Sequence, residues 1–489
     1  MSGPVSEFFA GRTVFITGGS GFLGKVLIFK LLKSCPKIGE IWLLIREKRG
    51  QTPEERLQGI LKSPMFKEVE GSLSKVKVIT GDVSEKGLGL KPADRRKVIE
   101  NISVVFHSAA TIKFDEVLTK AVFLNVRGTR DLLNLAKNMV KLRAFIHVST
   151  AYCNCHTSKI DESVLFAPPK AQDIIEMCET GDHEVLNSPE KTLEIIGDRP
   201  NSYTFTKAKA EELVLEAFEK IPTVVVRPSI VVAALQEPFP GWIDNMNGPT
   251  GMVVGAGSGF LRTMKVDREC KADLVPVDQV INLLCVAAER MSESRAPSLP
   301  VYNMCSGDLN PILWGQIESI FQPFLLEYPP EKMFWYPGGS FKKSAVVDMM
   351  CQIAFHYIPA YLTDLCKVAM GQKPYMVNIL NKMVKAIAAL EYFTNREWDW
   401  STKNVRQLCE SLEPKDRITF DFDVRAVDWK SFLRSYVQGT RHFVLKNDPN
   451  SMGDCRKKLQ ILKLCHYGLQ VIMFVMIFNF FKYLLSFIY

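Results

Sequence analysis

Thr17-Gly18-Gly19-Ser20-Gly21-Phe22-Leu23-Gly24 restricts this chain more than any other segment. It follows a short apolar run, Val14-Phe15-Ile16, and opens an apolar stretch, Val26 to Leu32, that reads as a helix. Strand, glycine turn, helix is the setting in which a glycine fingerprint binds a dinucleotide. Glycines let the backbone turn tightly and approach a pyrophosphate, and the free N–H groups at the helix start receive the negative charge. Gly19, Gly21 and Gly24 match G-x-G-x-x-G, while Gly18, Gly21 and Gly24 match T-G-x-x-G-x-x-G. A glycine turn with no ligand satisfies either spacing, so the turn needs company before it means anything.

The company is a series of apolar runs, each ending in a candidate contact. Ile41-Trp42-Leu43-Leu44-Ile45 ends at Arg46, with Lys48 and Arg49 close behind. NAD enzymes usually place an acid there for the ribose 2′-hydroxyl, whereas arginine accommodates a 2′-phosphate. This favours NADPH; a solvated basic turn is the plain alternative. Lys75 to Thr80 leads into Gly81-Asp82-Val83, and Val104-Val105-Phe106-His107 into Ser108-Ala109-Ala110-Thr111. A helix containing Asn125 and Gly128 separates these from Ala144 to Val148, which ends at Ser149-Thr150-Ala151-Tyr152. Thr223 to Val226 then ends at Arg227-Pro228-Ser229-Ile230. Strands alternating with helices predict an α/β fold, a doubly wound parallel-sheet Rossmann domain of order 3-2-1-4-5-6 with ligand at the carboxyl ends. The candidate cofactor contacts are Thr17 to Gly24, Arg46, Asp82, Val83, Ser108, Ala109, Ala110, Asn125, Tyr203, Lys207, Pro228, Ser229 and Ile230.

Tyr203-Thr204-Phe205-Thr206-Lys207 is the second chemical signal, at the start of a predicted helix running to about Lys220. Residues four apart share a helix face, so the phenol and the ammonium point the same way. A neighbouring ammonium favours the phenolate and is expected to bring the tyrosine closer to working pH. An ordinary surface pair has the same spacing. What distinguishes this one is order: glycine turn, then Ser149-Thr150 at a strand end, then the Tyr-Lys helix.

Composition bounds the rest. The 489 residues exceed one typical domain, and at 47% hydrophobic they support a sizeable core. A net charge of +8 comes with no dense basic tract, so nucleic acid is not an expected partner. The twelve cysteines contain no C-x-x-C pair, and the seven histidines no H-E-x-x-H, so neither disulfides nor a metal is expected. His107 and His147 read as core or supporting residues. No secretory signal precedes the glycine turn. From Leu464 to Phe481 there is no Asp, Glu, Lys or Arg, enough for roughly 27 Å of helix, and Arg456, Lys457, Lys458 and Lys463 flank it. Gln470 and Asn479 interrupt it and Lys482 cuts it short, so an interfacial segment is the alternative to a full span. From about Asn310 the pattern is mostly helical, with Trp314, Trp335, Trp398, Trp400 and Trp429 in it. Ser344 to Met370 reads as a buried helical layer; a greasy tunnel or membrane-contact surface is the functional alternative.

Taken together, the chain resembles the extended short-chain dehydrogenases/reductases and, more narrowly, the alcohol-forming fatty acyl-CoA reductases. The narrower likeness rests on Thr17 to Lys25, His147 to Tyr152, Ile196 to Asn201, the Tyr203/Lys207 pair, Arg227 to Val231, Glu237 to Asn245, Ala272 to Asp278 and Leu390 to Thr394. It implies an NADPH-dependent reduction of a long-chain acyl-CoA to the primary alcohol through a bound aldehyde, serving wax, ether-lipid or hydrocarbon-type lipid synthesis. It further implies that Tyr203 donates the proton, that Lys207 holds the nicotinamide ribose and lowers the tyrosine's pKa, and that Thr150 hydrogen-bonds the substrate carbonyl. Ser149, one residue away, turns to the other face of the strand. Gly18-Gly19 departs from the Gly-Ala common in the family. The expected organisation is a reductase domain over 1–330, a helical C-terminal domain over 331–455, and a basic flank with a membrane-associating tail over 456–489. The implied setting is a membrane, with the catalytic part facing the cytosol, on endoplasmic reticulum, peroxisome or lipid droplet. Phe487-Ile488-Tyr489 matches neither the S-K-L nor the K-D-E-L address, and oligomeric state is left open. The alternatives are another extended reductase acting on a sterol or other lipid, or a cofactor-binding scaffold without turnover.

Overall fold

Apolar runs with both faces buried build the central sheet of the computed structural model, which describes residues 3–48, 50–293 and 296–485. Its strands are β1 (Thr13–Thr17), β2 (Glu40–Ile45), β3 (Val76–Thr80), β4 (Ile102–His107), β5 (Ala144–Val148), β6 (Thr223–Pro228) and β7 (Val301–Met304). They pair in parallel in the order 3-2-1-4-5-6-7. Every residue of β4, β5 and β6 is buried, as crossover helices on both faces require. The order reverses between β1 and β4, where Thr17 lies level with His107, so all the strand ends named above gather on one edge around that point.

The six expected strands are present, and β7 is an addition. Val301-Tyr302-Asn303-Met304 is short and carries a polar residue, so it gives little strand signal. Asn303 is nevertheless fully buried, because its amide donates to Ser401 O at 2.9 Å and Ile160 O at 3.4 Å while Arg227 donates to its oxygen.

Helix α1 (Phe22–Ser34) follows the glycine turn, α2 (Gly128–Ala136) continues a π turn over Val122–Arg127, and α3 (Ser202–Phe218) carries the Tyr-Lys pair. Helix α4 (Val277–Glu293) packs on α1 and β5. Compact units interleave along the chain. The first comprises Met1–Pro240, Lys271–Pro311 and Glu397–Val427; the second comprises Gly241–Cys270, Ile312–Arg396 and Asp428–Tyr489. Trp398 and Trp400 therefore belong with the sheet rather than with the helical half. Each meets Tyr152 edge-on, at 5.4 and 5.3 Å between ring centroids.

The second unit is helical: α5 (Pro249–Gly257), α6 (Trp314–Glu327), α7 (Ala345–Gln352), α8 (Ile358–Ala369), α9 (Met376–Thr394), α10 (Trp429–Gly439) and α11 (Met452–Leu485) are its main elements. Val253, Phe324, Leu325 and Val437 form one of its cores, and Tyr436 is hydrogen-bonded to Thr250 at 2.7 Å. The buried layer expected over Ser344 to Met370 is not there. Its large apolar side chains are mostly exposed, and Asp348, His356, Ala360 and Asp364 are the buried ones. Periodicity locates an apolar face but not the side from which it is covered, hence the misreading.

The tail is one continuous helix of 34 residues, roughly 50 Å long. It is long and apolar enough to cross a membrane, and its apolar segment is exposed. Gln470, which interrupts the apolar run, is paired one turn back with His466 at 3.2 Å. Trp335 donates to His466 at 3.0 Å and Tyr336 stacks on it, joining the helix to the rest of its unit. Residues 486–489 lie outside the described residues.

Candidate active site

The glycine turn is as tight as its sequence demands. Gly18 has φ +78°, and a Cβ there would lie 2.7 Å from the Ala109 nitrogen. A Cβ on Gly24 would lie 2.3 Å from the Gly18 carbonyl oxygen. Both collisions are with backbone, so neither position accepts alanine without moving the turn. Gly19 differs: its Cβ would meet only the Leu43 side chain, at 2.9 Å. The departure at Gly19 thus goes with a leucine on the neighbouring strand. Gly21 caps α1 and leaves the first N–H groups of Phe22, Leu23 and Gly24 at the helix start, with Ser20 half-buried in the turn. This cradle fits a pyrophosphate.

Arg46 and Asp82 meet at the ends of β2 and β3, Nη1 to Oδ2, at 2.9 Å. Burial pushes the Asp82 carboxyl up, but the Ser84 N–H and hydroxyl together with Arg46 outweigh it and hold it below the usual carboxylate range. The arginine is half exposed. Val83 is buried under Gly128, where a Cβ would come within 2.4 Å of it. Arg49 lies outside the described residues.

A chain of hydroxyls and amides runs from the fingerprint to the Tyr-Lys helix. The Thr129 hydroxyl donates to Asn125 O at 2.7 Å, so its oxygen is left to accept from His107 Nε2 at 2.9 Å. His107 Nδ1 then accepts from the Thr17 hydroxyl at 2.7 Å, whose oxygen accepts the Ala109 N–H at 3.4 Å. Burial, and after it the charge on Lys207, pushes His107 down to about 3, so this neutral tautomer persists at physiological pH. The Ser108 hydroxyl donates to Thr17 O at 2.8 Å, with Ala110 two residues on. Asn125 has its side chain committed to protein: it accepts from Thr111 N at 2.9 Å and donates to the Thr206 hydroxyl at 2.9 Å and Thr111 O at 3.3 Å. It ties the loop after β4 to α3. Thr111, Thr129 and Thr206 carried no motif, and only spatial neighbours reveal them.

Asn201 starts α3 by accepting the Thr204 N–H at 2.9 Å, which fixes the turn on which Tyr203 stands. Tyr203 is hydrogen-bonded to the Thr150 side chain and lies 5.8 Å, ring to ring, from Phe114. Burial pushes its hydroxyl up to about 12, and the bond to Thr150 offsets only part of that. The lowering expected from Lys207 is absent among the protein's own groups. Lys207 instead donates to Val148 O at 2.7 Å, and burial holds it down to about 8 against the pull of Glu211. The Ser149 hydroxyl is buried without a hydrogen-bond partner, so Thr150 and not Ser149 faces the phenol. His147 is buried with neither ring nitrogen hydrogen-bonded, beside His107 at 5.3 Å.

Beneath this face Glu211 chelates Arg227 at 2.8 and 2.6 Å, both side chains wholly buried. Arg227 also donates to Asp161 O and Ser163 O. Arg199 holds the turn after Thr150 through Cys153 O and Asn154 Oδ1, both at 3.2 Å, and Trp398 and Trp400 donate to Cys155 O and Ala151 O. Pro228 ends β6; the Ser229 and Ile230 N–H groups continue to Met304 O and Asp273 O. Asp278 accepts the N–H groups of Leu235, Gln236 and Glu237, and Asp273 those of Ser306 and Gly307. These signature segments clamp backbone around the site.

The NAD-binding family described as male sterility protein matches residues 16–284, and a second model with that description, Sterile, matches 355–447. Fatty acyl-CoA reductase 1 of Rattus norvegicus is 39% identical over 481 residues, 98% of this chain and 93% of the relative. Fatty acyl-CoA reductase 2 of Bos taurus is 36% identical over 475 residues, 96% and 92% of the two chains. Among solved structures, the terminal R domain from the myxalamid biosynthetic pathway superposes with a TM-score of 0.60 at 18% identity, covering 88% of this chain and 91% of that one. A nonribosomal peptide synthetase reductase domain from Mycobacterium tuberculosis gives 0.57 at 19% identity, with the same coverages. At such identities the last two speak for the fold alone. With a strand-end hydroxyl, a Tyr-Lys helix and a glycine cradle on one sheet edge, and near-full-length identity to curated reductases, the chain belongs to the fatty acyl-CoA reductase family and carries a nicotinamide-cofactor domain.

Proposed function

We propose that the protein reduces a long-chain acyl-CoA to the primary alcohol and free CoA, using two NADPH and retaining the aldehyde at the site between steps. The observation that carries the chemistry is the Thr150–Tyr203 hydroxyl pair, with Lys207 one turn along, at the edge where β1 ends in the glycine cradle. The substrate class rests on the near-full-length relatives named fatty acyl-CoA reductase.

Thr17 to Gly24 would hold the pyrophosphate, Arg46 a 2′-phosphate, and Lys207 the nicotinamide ribose; when bound, the reduced nicotinamide supplies the hydride for each step. Thr150 donates to the substrate carbonyl oxygen, where negative charge develops. Tyr203, held near 12, is protonated throughout the physiological range and serves as the acid for the alkoxide. In the first step the oxygen's charge collapses back to a carbonyl and expels the CoA thiolate. In the second, the aldehyde oxygen takes the tyrosine proton and becomes the alcohol hydroxyl. Lys207, at about 8, is mostly ammonium at neutral pH.

Helix α11 anchors this assembly by crossing a bilayer, with the basic residues Arg456, Lys457, Lys458 and Lys463 on its cytosolic side and the catalytic unit facing the cytosol. Profiling products over a ladder of acyl-CoA lengths, with NADPH and NADH in parallel, tests the reading. Alcohol formed preferentially with NADPH supports it. NADPH binding without consumption at any length would leave a scaffold. An Arg46→Ala variant should weaken NADPH far more than NADH.

A further inference from the structure

We propose that α7, the π turn Ile353–Tyr357 and α8 form a second membrane-contacting element, which lies with its apolar face in the headgroup–acyl boundary of an anionic bilayer. This rests on the reading of α11 as the membrane anchor.

The segment is built inside out for water. A helix on a water-soluble surface turns its apolar stripe inward and its charges outward. Here Asp348 accepts from Thr263 at 2.6 Å and Gln352 at 2.7 Å, and His356 Nε2 accepts the Arg262 N–H at 2.8 Å. Asp364 accepts the N–H groups of Tyr375, Met376 and Val377, each at 2.9 Å, and so caps α9. The polar residues are therefore consumed on the inner face. Met350, Phe355, Ile358, Leu362 and Leu365 are on the other, with Leu362 56% and Leu365 65% exposed. Contiguous apolar surface of this kind marks an interaction site.

Two observations identify the occupant as lipid. From 345 to 394, the span of α7 through α9, the charged residues are Lys367, Lys373, Lys382 and Lys385 against Asp348, Asp364 and Glu391, four positive less three negative, a net +1. With Asp348 and Asp364 turned inward and Glu391 paired with Lys265, the outward charge is left basic, which complements anionic headgroups. The segment is also joined to the anchor helix through its inner side. His356 holds the Arg262 backbone, the Arg262 guanidinium donates to Tyr336 O at 2.6 Å, and Tyr336 stacks on His466 of α11. Polar residues at 348, 356 and 364 rule out a span, leaving a helix that lies in the interface. Tyr361, exposed and stacked at 6.5 Å on the inward-packed Tyr357, suits the headgroup level.

The test uses the full-length protein in phosphatidylcholine–phosphatidylserine vesicles. Cys366 and Cys465 are exposed and Cys270 and Cys351 partly so, so a variant with Cys270→Ser, Cys351→Ser and Cys465→Ser directs an environment-sensitive thiol fluorophore to Cys366. A control carries Lys97→Cys with all four of these cysteines replaced by serine. We expect the Cys366 label to be blue-shifted and quenched roughly two-fold or more by nitroxide-bearing lipid, with little effect of aqueous iodide, and the control to behave oppositely. Leu362→Asp with Leu365→Asp should return the Cys366 label to iodide while the protein still sediments with vesicles. Iodide quenching equal to the control overturns the proposal. So does shielding from both quenchers, which would mean a second copy covers the face. Loss of vesicle sedimentation by the unmutated protein would instead refute the anchor.

Discussion

The parallel sheet and the α7–α8 segment both bury charge, and they do so for opposite surroundings. In the first unit Glu211 of the Tyr-Lys helix and Arg227 of β6 are sealed between helix and sheet, and the apolar strands around them are buried too. In the second, Asp348 and His356 are inside while the methionines and leucines are outside. A buried ion pair contributes little net stability, but breaking it is costly because the survivor is left uncompensated. Each region is made for what it faces: the sheet's ion pair is sealed under the edge that carries the Tyr-Lys pair, and the α7–α8 segment's inward polar groups leave its apolar face for the bilayer interface.

Variants that split the two regions sharpen this. The largest effect belongs to Tyr203→Phe, which should cut kcat/KM on the order of 10²–10⁴-fold while the NADPH dissociation constant stays put. Equal loss of cofactor binding would make Tyr203 part of the cradle. Next comes Glu211→Gln, which leaves Arg227 buried without its carboxylate; denaturant titration should show a loss of about 3–5 kcal/mol.

Lys207→Met should act in the other direction on stability. Burial holds Lys207 at about 8 in the folded protein against the ordinary 10.5. The unfolded chain thus binds more protons between those values, and stability of the wild type should rise with pH across them. At pH 7 the buried ammonium costs about 3 kcal/mol, so Lys207→Met should stabilise the cofactor-free protein by up to that amount, flatten the slope and abolish turnover. A destabilised Met variant would show that the bond to Val148 O outweighs the burial. The smallest change is in the α7–α8 segment. Asp348→Ala, which strands the Thr263 hydroxyl, should cost about 2 kcal/mol in melting experiments and leave kcat in detergent unchanged. If Asp348→Ala lowered kcat like Tyr203→Phe, the two regions would not be separable.

Much of the first unit could be read from residues alone. Six runs of Val, Ile and Leu announced six strands, and Gly18 and Gly24 were required by backbone approach before any fold was seen. β7 was hidden because Asn303 pairs with backbone 143 and 98 residues away in sequence. The direction of the Tyr203 shift was hidden for a similar reason: helical spacing brings an ammonium near, but the depth of burial is a tertiary quantity. Asn125 looked like a cofactor contact and has its side chain committed to Thr111 and Thr206. Trp398 and Trp400 read as part of the helical half and instead support Tyr152 beside the site. The segments that gave the family away, around Glu237 and Asp273, are tied together by carboxylates that accept backbone N–H groups.

The central claim is that one site performs both reductions. It is tested most directly by following NADPH loss and free CoA thiol in the same reaction of the full-length protein with a long-chain acyl-CoA. The account predicts two NADPH consumed for every thiol released, with alcohol as the product from the first turnovers. A ratio of one, with aldehyde accumulating in solution, would contradict it.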